Sequence, residues 1–309
     1  MKPGLGEKAL KTRGPVLVTG ASSGIGRAIA EALCDQGCEV FATARTRAQL
    51  DRLRLLSKVT PIRLDVTKPK EIYAAFKRME KNGKGLYGLV NNAAIADVWP
   101  LAELSDEDLH REFDVNFFGV HRVTRAMLPL LVKSKGRIVN ITSVNGLGTD
   151  ENAGAYCATK YALEAYSEVL SKELTKHNVR VSIVEPGQFR SNIAIAGVPT
   201  FRRRVESVVP SIMTRKQIDE LQRDFYEWGK SFKKCPIPEK VAHAVLDALF
   251  SDRPQLRYSV APNKTQFIWP INEVMSKTIQ INKGSKYSLT RKQMHSLLDT
   301  CWRRSLNRR

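Results

Sequence analysis

Tyr156 and Lys160 stand four residues apart, and Ser143 precedes the tyrosine by thirteen. On a helix, positions four apart share one face, so the phenol and the ammonium would look into the same space. A nearby ammonium favours phenolate over phenol and lowers the tyrosine pKa from its ordinary value of about 10. A tyrosine tuned in that way can serve as a general acid or base near neutral pH. A serine hydroxyl beside it could hydrogen-bond the same substrate oxygen. Tyr and Lys also meet at this spacing by chance in many helices, so the triplet takes its meaning from the elements that hold it.

Those elements alternate. Apolar runs at 16–18, 39–43, 61–64, 88–90, 137–141 and 179–184 predict strands. Helical patterns over 26–36, 50–56, 71–79, 106–132 and 153–177 fall between them, with Ser105 as an N-cap. This alternation predicts an α/β fold, a doubly wound parallel sheet of Rossmann type with helices on both faces. In such sheets ligands bind beyond the carboxyl ends of the strands. Gly20, Asn91, Ser143 and Pro186 all lie at or just past such ends. After Pro186 the pattern changes. Residues 188–235 form a long excursion before the next helix, 238–250, and within it Ile218, Leu221, Phe225, Trp228 and Phe232 recur at helical spacing. That stripe packs a helix on the core, covers an apolar substrate as a lid, or does both. The expected organisation is an arm at 1–14, one catalytic domain at 15–262 containing the lid, and a basic extension at 263–309.

Thr19-Gly20-Ala21-Ser22-Ser23-Gly24-Ile25-Gly26 joins the first strand to the first helix. Glycines there permit a tight turn and let backbone approach a pyrophosphate, which the helix N-terminus favours. The second strand runs into Arg45, with Arg47 nearby, where an NAD-specific site would place an acid. A guanidinium suits a 2′-phosphate, so NADP(H) is the expected cofactor. Read without a ligand, Arg45 is a surface residue opening a helix.

Composition bounds the rest. The chain has 309 residues, 42% of them apolar and 26% charged, which is ordinary for a globular protein. No uncharged apolar run is long enough to span a bilayer, and Met1 to Pro15 contains no apolar core of a secretory signal. Five scattered cysteines point to a reducing, cytoplasmic setting. Cys34 and Cys38 lack partner ligands, so no metal site is expected. The net charge of +19 is uneven: residues 201–309 hold 22 Lys and Arg against 10 Asp and Glu. The last 27 residues hold eight bases and only Asp299 as acid. They read as a solvated tail, with attraction to anionic lipid as the sharper alternative and Phe267, Ile268 and Trp269 as apolar contacts. No nucleic-acid-binding module is visible.

Together these residues resemble the short-chain dehydrogenase/reductase family in its single-domain branch, from about Val16 to Pro262. The resemblance rests on the glycine turn, Leu64-Asp65-Val66, Asn91-Asn92-Ala93-Ala94, Asn116, Ser143, Tyr156-x-x-x-Lys160 and Pro186-Gly187. It implies hydride transfer between a nicotinamide and an alcohol or carbonyl carbon. Tyr156 would move the proton, Lys160 would bind the nicotinamide ribose and depress the Tyr156 pKa, and Ser143 would polarise the carbonyl. Asn116 would hold a water linking Lys160 to solvent. Gly20, Ser22, Ser23, Gly24, Ile25, Gly26, Arg45, Asp65, Val66, Asn91, Ala93, Pro186, Gly187 and Ser191 would hold the cofactor. Ala94 replaces a glycine usual in the family, and Ser191 a threonine. The apolar excursion and basic extension resemble the hydroxysteroid and retinol dehydrogenase group, implying a small hydrophobic alcohol or carbonyl substrate. Family members pair through the helices near 106–132 and 153–177, implying a homodimer or homotetramer. A competing class is a non-catalytic dinucleotide-binding regulator attached through its basic tail.

Overall fold

Every strand in the computed structural model pairs with its neighbours in parallel; residues 14–207 and 212–307 are described. The expected arm at 1–14 lies, apart from Gly14, outside them. The strands are β1 Val16–Val18, β2 Val40–Ala44, β3 Val59–Arg63, β4 Gly88–Asn91, β5 Arg137–Ile141, β6 Arg180–Pro186 and β7 Arg257–Val260. They lie in the order β3-β2-β1-β4-β5-β6-β7. The order reverses direction between β1 and β4, the place where such sheets open a ligand crevice. The helices are α1 Gly24–Asp35, α2 Arg47–Arg54, α3 Pro69–Asn82, α4 Asp106–Phe113, α5 Gly119–Lys133, α6 Gly154–Leu174, α7 Ile193–Ser207, α8 Arg215–Lys234, α9 Glu239–Phe250, α10 Lys264–Asn282 and α11 Arg291–Asn307.

The sheet is covered on both faces, as all-parallel strands require. Val16 and Val18 pack on one face with Ile29 and Leu33 of α1 and Val241, Val245 and Leu249 of α9. Leu17 packs on the other with Met79 of α3 and Met127 and Leu131 of α5. Burying each such side chain contributes about 1.5–3 kcal/mol. Pro61 sits in edge strand β3, where a missing N–H is tolerated.

The expected helix over 106–132 is interrupted. Ser105 caps α4, its hydroxyl accepting from Asp108 N at 3.2 Å. A π-helical turn at Asp114–Phe118 then separates α4 from α5. Gly119 follows it because a Cβ there would lie 2.6 Å from Val66 Cγ2. Four elements were not read from the sequence: α7, β7, α10 and α11. β7 is only four half-buried residues, and the extension expected as a solvated tail is largely helical.

The excursion at 188–235 folds into α7 and α8. Ile218, Leu221 and Phe225 form a third apolar cluster with Trp99, Phe201 and Val205. Phe201 and Phe225 stack with centroids 4.2 Å apart.

Candidate active site

The turn after β1 has one backbone solution. Gly20 and Gly24 have φ of +63° and +56°, where side chains are strained. A Cβ at Gly26 would sit 2.4 Å from Asn92 Nδ2 and 2.5 Å from Gly20 O. Thr43 Oγ1 accepts from Gly20 N at 3.1 Å. Asn92 Nδ2 donates to Thr19 O (2.9 Å) and Gly20 O (3.2 Å), tying the turn to the end of β4. Ser23 gives α1 no side-chain cap, so the helix N-terminus is left for an anion.

Across the crevice, Ser143 stands two residues past β5 and accepts from Asn145 N at 3.1 Å. Tyr156 and Lys160 stand on the first turns of α6. Lys160, 2% exposed, donates from Nζ to Ile141 O at 3.0 Å and lies 5.5 Å from the Tyr156 ring centroid. Burial lowers its ammonium to about 8, with Glu164 and Glu112 opposing. Burial also pushes the Tyr156 phenol above its ordinary value, with a hydrogen bond from Ser143 opposing. The net shift of Tyr156 is therefore upward, against the expected depression, with burial as its largest cause. Spacing fixed the proximity of the two groups, but desolvation of the phenol outweighs an ammonium already engaged by a carbonyl.

Gly20, Ser22, Ser23, Gly24, Ile25, Gly26, Arg45, Asp65, Val66, Ala93, Ser143, Tyr156, Lys160, Pro186, Gly187 and Ser191 line one cavity of about 640 Å³. Two expected site residues do not line it. Asn91 is buried in the sheet, where Nδ2 donates to Thr124 Oγ1 and Asn140 Oδ1, both at 2.9 Å. It braces β4 against β5 and α5. Asn116, in the π turn, donates from Nδ2 to Ile95 O (2.9 Å) and Thr159 Oγ1 (3.1 Å), and its Oδ1 accepts from Ile95 N (2.9 Å). It ties the loop after β4 to α6.

The far wall is apolar. Trp228 and Phe232, from the expected stripe, line it, so α8 packs on the core with one half and faces the cavity with the other. Sequence reasoning missed Arg52 near Arg45, and missed Thr265, Gln266 and Trp269 of α10, all lining residues. Gln266 Oε1 accepts from Gln188 N at 2.7 Å. Lys277 Nζ donates to Leu147 O at 2.9 Å and meets the Tyr161 hydroxyl. Trp269 lies over Gly148, where a Cβ would be 2.6 Å from its ring. Trp269 thus faces the cleft, which corrects its expected role as a membrane contact. The signal in α10 is weak because its apolar residues do not form one clean stripe.

Buried ions fasten the surroundings. Arg204 of α7 donates to Asp108 (2.7 Å) and Asp97 (3.1 Å), and Arg111 also pairs with Asp97. Arg257 of β7 reaches Glu164 (2.5 Å), Glu168 (3.0 Å) and Glu185. Burial raises Glu185 to about 7 despite Arg257.

The family model described as short chain dehydrogenase matches residues 15–198. The chain belongs to the short-chain dehydrogenase family. It is 34% identical to the uncharacterized oxidoreductase YbbO of Escherichia coli (strain K12) over 79% of this chain and 84% of that protein. It is 40% identical to retinol dehydrogenase 5 of Homo sapiens over 58% of this chain, a match spanning only 57% of that relative. Among solved structures, a short-chain dehydrogenase from Streptomyces avermitilis superposes with a TM-score of 0.69 at 30% identity, covering 87% of this chain and 93% of that one. Among the described residues, no helix is long and apolar enough to cross a membrane.

Proposed function

We propose that this short-chain dehydrogenase is an NADP(H)-dependent enzyme interconverting an alcohol and a ketone or aldehyde on a hydrophobic substrate of steroid, retinoid or lipid-like class. One observation carries the reading: the glycine turn and the Ser143–Tyr156–Lys160 group open into the same cavity. The turn suits a dinucleotide, because the places where Cβ atoms at Gly20 and Gly26 would sit are closed by backbone and by Asn92. Asp65, Val66, Ala93, Pro186, Gly187 and Ser191 would complete that seat. Arg45 and Arg52 would receive a 2′-phosphate. When bound, the cofactor supplies hydride chemistry.

The chain supplies orientation and a proton. In reduction Tyr156 gives its proton to the carbonyl oxygen, which Ser143 holds; in oxidation it takes the proton back. Lys160 keeps positive charge beside the phenol and restores its proton. Trp228, Phe232 and Trp269 would exclude water and favour an apolar substrate. The names of retinol dehydrogenase 5 and of human 17-beta-hydroxysteroid dehydrogenase type 6, 39% identical over 58% of this chain, support that class. Free thiols at all five cysteines fit a reducing compartment. The exposed Phe118 at the end of the π turn before α5 and Val169 on α6 fit pairing of two copies through these helices. Exposed Phe267, Ile271, Met275 and Ile279 beside the basic tail fit peripheral membrane contact.

The test is turnover by Tyr156→Phe over steroid, retinoid, acyl and small carbonyl panels, with NADPH and NADH compared. Turnover is expected to fall about 10²–10⁴-fold while nucleotide binding persists. Near-normal turnover would sink the catalytic assignment, and equal efficiency with NADH would sink the cofactor preference. Tight NADPH binding by the wild type with no turnover on any panel would favour a regulator instead.

A further inference from the structure

One side chain that touches Ser143 has no part in the mechanism above. Asn145 lies in the short turn Val144–Gly146 that follows Ser143, and it lines the cavity together with Asp150 of the same loop. Its amide nitrogen donates to Asp150 Oδ2 at 2.7 Å and to Cys157 Sγ at 3.5 Å. Cys157 follows Tyr156 on α6. Both N–H groups of the amide are thereby used, and its oxygen is left for Ser143. Ser143 Oγ lies 3.4 Å from Asn145 Oδ1 and accepts from Asn145 N at 3.1 Å.

The carboxylate decides which way round the amide stands. Asp150 can only accept, so it takes the NH2 side and leaves the oxygen to Ser143. That oxygen can only accept in turn, so the serine is the donor. The hydrogen bonds therefore run in one direction, from the Ser143 hydroxyl to Asn145 and from Asn145 to Asp150. A serine side chain has three staggered positions about χ1. Here the backbone N–H and the side-chain oxygen of one residue hold it in one of them. At 3.4 Å the bond to Oδ1 is long against the ordinary O–H···O distance of about 2.7–2.8 Å. The hydroxyl is aimed yet weakly held, so a substrate oxygen can win its hydrogen bond at little cost.

We propose that Asn145 is a positioning residue for the reaction, holding the Ser143 hydroxyl in the rotamer that meets the substrate oxygen, with Asp150 as its anchor. The inference rests on the oxidoreductase reading of this site. At rest the hydroxyl donates to Asn145. With an alcohol or carbonyl bound, it turns its O–H to the substrate oxygen and keeps the Asn145 N–H as donor to its own oxygen. A hydroxyl that accepts a hydrogen bond is a better donor, because linked hydrogen bonds polarise one another. Asn145 and Asp150 exchange no proton with the substrate, so the proton steps at Tyr156 and Lys160 are unchanged.

A double-mutant cycle tests the placement. Asn145→Ala should lower kcat about 3–10-fold, the loss expected for one neutral hydrogen bond, and leave KM nearly unchanged. Asp150→Ala, at an exposed position, should give a smaller loss of the same kind. In a Ser143→Ala background, Asn145→Ala should cost nothing further, because the hydroxyl it orients is gone. A residue that only braced the loop would instead lower the melting temperature and multiply its loss with that of Ser143→Ala. In cofactor-free protein, the side-chain amide signals of Asn145, assigned in nuclear magnetic resonance spectra by their absence in Asn145→Ala, should move on Asp150→Ala and on Ser143→Ala. Full turnover by Asn145→Ala, losses that multiply, or amide signals that ignore both substitutions overturn the positioning role alone. Should Asn145→Ala not fold, Asp150→Ala carries the same cycle with Ser143→Ala. A wild type that turns over no alcohol or carbonyl overturns the oxidoreductase reading, and the positioning role with it.

Discussion

The two walls of the cleft are held by different forces. The sheet-side wall is fixed by hydrogen bonds and backbone: Gly20, Asn92, Thr43 and Ser143 hang from strand ends whose register leaves them no alternative. The far wall is built from helices outside the sheet and held by aromatic stacking and a few ions. A wall made of strand ends can position a reacting atom to a fraction of an ångström, because moving one residue moves the ladder. A wall of packed side chains can be reshaped one residue at a time. Chemistry therefore belongs to the first and choice of substrate to the second.

That division can be broken or sharpened by four substitutions. Lys160→Met should lower turnover by about 10²–10⁴-fold. The melting temperature should hold or rise, because the ammonium is disfavoured by burial; a large loss of stability would make Lys160 a structural member of its wall. Phe225→Ala removes the partner stacked on Phe201 and should cost about 3–5 kcal/mol in denaturant melts. The surviving folded enzyme should keep its turnover of a small alcohol; if it does not, the walls are not separable. Trp269→Ala should raise KM for a bulky apolar substrate by about 10-fold or more, as expected for 1–3 kcal/mol of apolar contact, and leave a small alcohol nearly unaffected. An equal effect on both would place Trp269 in positioning the Ser143 loop. Arg45→Ser should raise KM for NADPH about 10-fold, a charged hydrogen bond being worth about 1.5–3 kcal/mol, with little change for NADH. A parallel change for both would mean that Arg45 reads no 2′-phosphate.

The same division governs what the sequence discloses. The glycine turn, Ser143, Tyr156 and Lys160 were legible because their residue types answer local backbone demands at strand ends and on one helix face. Trp269 was not, because its place depends on Gly148, far away in the chain, and on a helix without a clean apolar stripe. The π turn at Asp114–Phe118 also left no residue signature: an altered hydrogen-bond pattern needs no special side chain. Asn91 carries a recognisable motif, yet its amide nitrogen is spent on Thr124 of α5 and Asn140 of β5. The upward direction of the Tyr156 shift is not legible in the sequence for a related reason. Spacing reports who is near, whereas burial depends on every layer packed above.

Trp269 over Gly148 has a consequence for building chimaeras. The indole fills the space that any other side chain at 148 would need, and Lys277 fastens the same helix to Leu147. Helix α10 and the loop after Ser143 are thus a single inheritance unit: a C-terminal segment transplanted into a relative has to carry its own residue 148 with it, or the graft will prise apart the loop beside the reacting centre.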